Sequence, residues 1–133
     1  MAVAITVMSN EILFDDELRQ QISEIASRFQ LFECTACALA IKDFLIARGI
    51  SGKQVKLYTG KAKGKYGNIY HDRLGLNIAT NGRHEGIVVE IKGVELIFDN
   101  IDNQGVSRQV WLGNLYCVAM DLGGEFEVTE VEF

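Results

Sequence analysis

The sequence contains no proline, only two histidines and an odd count of three cysteines, and no apolar run of membrane-spanning length. Each shortage removes a class of protein. A spanning helix needs roughly 18 or more consecutive apolar residues, so no membrane partner is expected. Met1 to Asn10 lacks the charged start and long apolar stretch of a secretory signal, and the expected location of the chain as it stands is the cytoplasm. Three cysteines do not make a disulfide framework, and a reducing compartment is the simpler setting. Basic stripes are missing too, and a net charge of −5 argues against nucleic acid as the partner. The lysines at Lys53, Lys56, Lys61, Lys63 and Lys65 read as one solvated, glycine-interrupted loop rather than a binding patch.

The spacing Cys34-Thr35-Ala36-Cys37 raises a redox pair or a zinc site. A thioredoxin-type pair follows a strand and is faced by a cis-proline; here a helix precedes, and there is no proline to supply. Zinc needs two further ligands at compatible spacing, whereas His71, His84 and Cys117 are scattered and a second C-x-x-C is missing. No cofactor and no metal are expected.

What remains is a chain 48% hydrophobic and long enough to bury one core, read as a single domain over 1–133. Residues 1–14 form an N-terminal extension with a short strand at Val3 to Val7. The helical part, 15–49, opens with Asp15 and Asp16 at a helix start, followed by Leu18, Ile22, Ile25 and Phe29 at helical spacing. Gln30 to Glu33 is a joint. A second helix then runs to about Arg48 and stops at Gly49. Between Ala36 and Ala47 only Lys42 and Asp43 are strongly polar, which predicts that both long faces of this helix meet other protein.

The sheet part, 53–133, carries strands at Val55 to Thr59 and Asn68 to Tyr70, a turn at Asn81-Gly82-Arg83, and a hairpin of Gly86 to Ile91 with Val94 to Phe98 around Lys92-Gly93. Ser107 to Leu115 reads as a short helix, and Leu115 to Met120 and Phe126 to Val131 as closing strands. The fold class is α+β, with a buried helix packed on one antiparallel sheet.

Cys34 stands in the first turn of the second helix, where free N–H groups and a partial positive charge favour thiolate and can also receive an oxyanion. Cys37 lies on the apolar face and is the alternative nucleophile; Cys117 reads as an inert buried thiol. A two-residue turn at Lys92-Gly93 pairs Ile87 with Phe98 and places Gly86 opposite Asp99. Ile87, Val89, Ile91, Val94, Leu96 and Phe98 then share the core face. His84 and Asp99 share the other face as diagonal neighbours, roughly 7 Å apart at the backbone. An imidazole oriented by a carboxylate and facing a thiol is what a cysteine nucleophile requires. His71 is the rival base.

The ordered blocks Phe32-Glu33-Cys34-Thr35-Ala36-Cys37-Ala38, Gly49-Ile50-Ser51-Gly52-Lys53, Asn81-Gly82-Arg83-His84 and Ile97-Phe98-Asp99-Asn100, with Trp111 beyond, resemble the papain-fold toxin domains of bacterial polymorphic toxin systems. The resemblance covers roughly Asp15 to Cys117. It implies a papain-like fold and a catalytic cysteine, histidine and acid in that chain order, falling on Cys34, His84 and Asp99. The acid is Asp99 where plant-type papains carry asparagine, with Asn100 adjacent, and Gln30 is the candidate for the oxyanion glutamine.

The activity implied is amide hydrolysis on a protein or peptide, as a peptidase or protein-glutamine deamidase; acyl transfer shares the mechanism. The resemblance also implies an effector delivered to another cell and an immunity protein as partner. The competing reading is a papain-fold module that binds a partner beside Cys34 without turnover. The sequence assigns no oligomeric state.

Overall fold

The computed structural model describes residues 15–60 and 64–133. The strand expected at Val3 to Val7, and Lys61 and Lys63 of the lysine loop, lie outside the described residues. Helix α1 occupies 15–26 and buries Leu18, Ile22 and Ala26, spaced four apart on one face. Its expected last turn is not α-helical: the N–H groups of Arg28 and Phe29 reach Ile25 and Ala26, three residues back, which tightens the chain into the joint.

Helix α2 spans Cys34–Ala47. It ends where Gly49, at φ 70°, takes the left-handed conformation that glycine adopts without a side-chain clash. The N–H groups of Gly49 and Ile50 close back onto the carbonyls of Ile46 and Leu45 at 3.0 and 2.9 Å, a paired C-terminal cap. The expectation that both faces of α2 are covered is not met among the described residues. Cys34, Cys37, Ala38, Ile41 and Leu45 form one buried stripe, while Leu39 and Ile46 are more than half exposed. The outward face is rich in alanine as well, and apolar composition alone does not force burial.

The remaining elements are β1 (Lys53–Tyr58), β2 (Ile69–His71), β3 (Leu76–Ala79), β4 (Arg83–Ile91), β5 (Val94–Phe98), α3 (Arg108–Gly113), β6 (Leu115–Tyr116) and β7 (Glu127–Glu132), with 3₁₀ turns at Gly64–Gly67 and Val118–Leu122. Lys53 therefore sits on a strand and not in the loop read from the lysine cluster, and Lys56 lies on the strand expected from Val55 to Thr59. The single expected sheet is in fact two, both antiparallel: a main sheet in the order β5-β4-β1-β7 and a small one in the order β3-β2-β6. β3 has little β-favouring composition and exists because it pairs with β2, Tyr70 opposite Asn77. The expected strand from Leu115 to Met120 ends at Tyr116. The chain then winds into a 3₁₀ turn stopped by Gly123 at φ 82°.

The β4–β5 hairpin has the register predicted, Ile87 opposite Phe98 through Ile91 opposite Val94. Lys92 and Gly93, at φ 57° and 73°, make the turn with two positive φ values that matches strand twist. Ile87, Val89, Ile91, Leu96 and Phe98 pack with Cys37, Ala38, Ile41 and Leu45 of α2 and with α1. Val94, at the hairpin tip, is exposed.

The opposite face of the main sheet is covered as well. Val55, Leu57, Val88 and Ile97 pack against Ile69 and Ile78 of the small sheet, Trp111 of α3 and Leu115 of β6. The main sheet is thus the middle layer of three, and His84 and Asp99, beside this second core, are withdrawn from water. No helix among the described residues is long and apolar enough to cross a membrane.

Candidate active site

Cys34 enters α2 without a side-chain cap. The first main-chain bond into the helix joins the Cys37 N–H to the Glu33 carbonyl at 3.0 Å, so the N–H groups of the first turn have no helical partner. Glu33 turns its carboxylate back onto the Gln30 N–H, at 2.7 Å, and away from those groups. The preceding residue, Phe32, is held at φ 69°, a conformation that bulky side chains rarely adopt and that clusters at functional sites.

β4 supplies His84 and the end of β5 supplies Asp99, and the covering small sheet and α3 leave them 1% and 2% exposed. At that depth an unpaired charge would be very costly, so the partners decide the chemistry. His84 Nε2 lies 2.8 Å from Asp99 Oδ2, and the Trp111 indole N–H donates to the same oxygen at 2.7 Å. Asp99 Oδ1 accepts the main-chain N–H groups of Ile101 and Asp102 at 2.8 and 2.5 Å. Burial pushes the Asp99 carboxyl up, but His84, Trp111 and the main-chain donors outweigh it and hold the group below its ordinary range.

For His84, burial acts to lower the pKa, and the hydrogen bonds and charges of Asp99 and Cys34 overcome it, raising the ring to about 9. Its Nδ1 is buried and makes no hydrogen bond among the described residues. Cys34 is the thiol whose charge is coupled to the ring. Burial works against the Cys34 thiolate, yet the hydrogen bond and charge of His84, with the Glu85 N–H and the Thr35 hydroxyl, bring the thiol below its ordinary value. Cys37 goes the other way: burial and the negative charges of Asp99, Cys34 and Glu33 push it up to about 12. The two cysteines of one helix turn are thus driven apart by their surroundings.

Asn100 donates its amide to the Gln30 carbonyl at 2.8 Å, tying the loop after β5 to the joint that leads into α2. Gln30 takes part through its main chain, and no hydrogen bond from its side chain is made among the described residues. His71 is held elsewhere: Nδ1 accepts the Leu74 N–H at 3.2 Å, and Nε2 lies 3.7 Å from Asp102. Arg73 also reaches Asp102, at 2.7 Å. Cys117 is buried and reduced.

Three contributors escape sequence reasoning. Asp102 braces Asp99 through its N–H; its only sequence signal is its place in the polar turn Asp99-Asn100-Ile101-Asp102. Trp111 is legible as a helical aromatic but not as a donor to Asp99. Glu85 receives Gln54 at 2.8 Å and the Thr35 hydroxyl at 3.5 Å, linking β4 to the entrance of α2.

A cavity of about 160 Å³ opens beside Cys34, lined by Phe32, Thr35, Ile78, Ala79 and Arg83 among others. Since a water molecule occupies about 30 Å³ of liquid, it holds one side chain and little more. Among the described residues, no three His, Cys, Asp or Glu side chains are grouped as metal ligands would be. The arrangement offers a depressed thiol, a buried imidazole held by a carboxylate, and free main-chain donors at a helix start. No curated protein and no solved structure matches the chain. A family model described as papain fold toxin 2 matches residues 17–116, taking in α2, α3, all but the first two residues of α1, and Cys34, His84, Asp99 and Trp111, and the chain belongs to that family.

Proposed function

We propose that the protein is a cysteine-dependent amide hydrolase, a peptidase or protein-glutamine deamidase, in which Cys34 is the nucleophile, His84 the proton carrier and Asp99 its orienting acid. The observation that carries this reading is the buried His84–Asp99 pair, 2.8 Å apart and braced by the Trp111 N–H, with Cys34 at the entrance of α2 drawn down by His84. The Cys34 thiolate attacks the amide carbon, and the Cys34 main-chain N–H helps hold the resulting oxyanion. The His84 imidazolium then gives its proton to the departing nitrogen, which leaves as ammonia or as a peptide amine. A water, deprotonated by His84, attacks the thioester carbonyl; the C–S bond breaks, giving the acid product and free Cys34.

Membership of a papain fold toxin family supports a role as an effector delivered to another cell, acting on a protein there, with an immunity protein as partner. Alkylation by iodoacetamide near neutral pH tests the chemistry. Fast modification confined to Cys34 and lost in His84→Ala supports it. Slow modification indifferent to that change leaves a module that binds without turnover. Mass spectrometry of candidate proteins then separates a one-dalton deamidation change from scission. Equal growth of bacteria expressing the wild type and Cys34→Ala would remove the toxin role.

A further inference from the structure

The cavity beside Cys34 is too small to hold more than one side chain, so a hydrolase that selects among polypeptides needs a second place to hold them. The larger cavity, about 710 Å³, is a groove on the small sheet lined by Tyr66, Asn68, Tyr70, Asp72, Asn77 and Tyr116 among others. The chain has four tyrosines, and three of them meet here. Its volume falls within the range of about 300–1,000 Å³ typical of ligand sites.

Tyrosine offers a large, stiff contact surface at small cost in side-chain freedom, and its ring face attracts cations. Tyr116 is anchored by donating its hydroxyl to Asp121. Among the described residues, Asp72 is the one charged side chain lining the groove; it is exposed and has no cationic partner there. Asn68 and Asn77 add amides suited to an extended main chain.

We propose that this groove docks a basic segment of the polypeptide substrate, with a lysine or arginine side chain seated against Tyr66, Tyr70 and Tyr116 and countered by Asp72. The identity of the occupant as substrate rests on the amide-hydrolase reading. β3 connects the two places: Asn77 lines the groove, and Ile78 and Ala79 wall the cavity at Cys34. Asn77 and Ala79 are two residues apart on one strand, about 7 Å, so a few residues of extended substrate span the distance. The overall charge of −5 favours the same basic ligand.

The test uses Cys34→Ala protein, which binds without turnover, titrated with two seven-residue peptides and followed by amide NMR shifts. Both contain one glutamine, followed three positions on by lysine in one peptide and glutamate in the other. The lysine peptide is expected to shift the amides of Asp72, Asn77 and Tyr116 and to bind at least tenfold more tightly. Asp72→Asn, a near-isosteric change that guards against misfolding, and Tyr70→Ala should each weaken it at least fivefold. In the protein retaining Cys34, neither change should alter the alkylation rate. Equal response to both peptides, or binding that survives both substitutions, overturns the proposal. Selective lysine-peptide binding by a protein whose Cys34 is inert regardless of His84 keeps the cation groove and removes the hydrolase.

Discussion

The indole of Trp111 lies stacked on the imidazole of His84, ring centroids 5.7 Å apart and planes 27° from parallel. The same indole donates its N–H to the Asp99 oxygen that receives His84. One side chain therefore presents an electron-rich face to a ring favoured in its charged form and also stabilises that ring's counter-ion. Trp111→Phe separates the two roles, because an aromatic ring stays and the donor goes. A hydrogen bond to a buried charge contributes about 1.5–3 kcal/mol, and urea unfolding should register a loss of that size. Alkylation of Cys34 should slow less than in His84→Ala.

The pH dependence of Cys34 alkylation has a definite sign. In the wild type the rate should reach half its maximum below the ordinary thiol value of 9.0, since His84 draws the thiol down. His84→Ala removes that pull and leaves burial, so the midpoint should move upward and the rate at pH 7 should fall about tenfold or more, one pH unit being a factor of ten in thiolate. Peptide mapping should find Cys37 unlabelled until strongly alkaline pH, consistent with its value of about 12.

Stability should fall as the pH rises through the range in which His84 loses its proton. Its folded value, about 9, lies above the ordinary 6.5, so its contribution is complete below pH 6.5 and fades toward pH 9. Asp99, held below 3.8, has the opposite sign: its contribution is present above that value and is lost as pH falls through the folded one. The Cys34 thiolate would offset the His84 loss at high pH, so the comparison belongs in Cys34→Ala, where Asp99 remains as the group that raises His84. The urea midpoint of that protein should drop as the pH rises above 6.5, over a narrower range than in the wild type, because the part of the shift due to Cys34 is gone. Adding His84→Gln should flatten the curve.

Two glycines of the hairpin predict different outcomes. A Cβ on Gly86 would stand 3.0 Å from Ile97 Cγ2, 3.2 Å from the Phe98 carbonyl oxygen and 3.3 Å from Trp111 Cζ2, so Gly86→Ala crowds the hairpin against the indole. Overpacking of this kind costs about 1–3 kcal/mol, and the near-UV circular dichroism of Trp111 and the reactivity of Cys34 should both change. Gly93 has open space around it but sits at φ 73°. Gly93→Ala should lower stability by about 1–2 kcal/mol through backbone strain alone, with Cys34 reactivity preserved.

Much of this molecule is legible before any coordinates, and the hairpin shows why. Lys92-Gly93 admits a two-residue turn; a two-residue turn sets the register; and with a period of two, the register decides which residues share a face. Ile87 opposite Phe98, and His84 on the side of Asp99, follow from that local logic. The capped end of α2 at Gly49 is local in the same way. β3, by contrast, has no strong preference of its own and needs β2 beside it. The exposed face of α2 is misleading because leucine, isoleucine and alanine on a helix do not say what, if anything, stands across from them.

By itself, then, the chain determines its two leading helices, the cap that ends α2 and its hairpin register, since these depend on neighbours a few positions away. Tertiary structure decides that the second face of the main sheet is covered around His84, that Asp99 collects donors from His84, Trp111 and two main-chain amides, and that Cys34 is drawn down while Cys37 is pushed up. Desolvation and hydrogen bonding act through space between segments far apart in sequence, and no local pattern carries them.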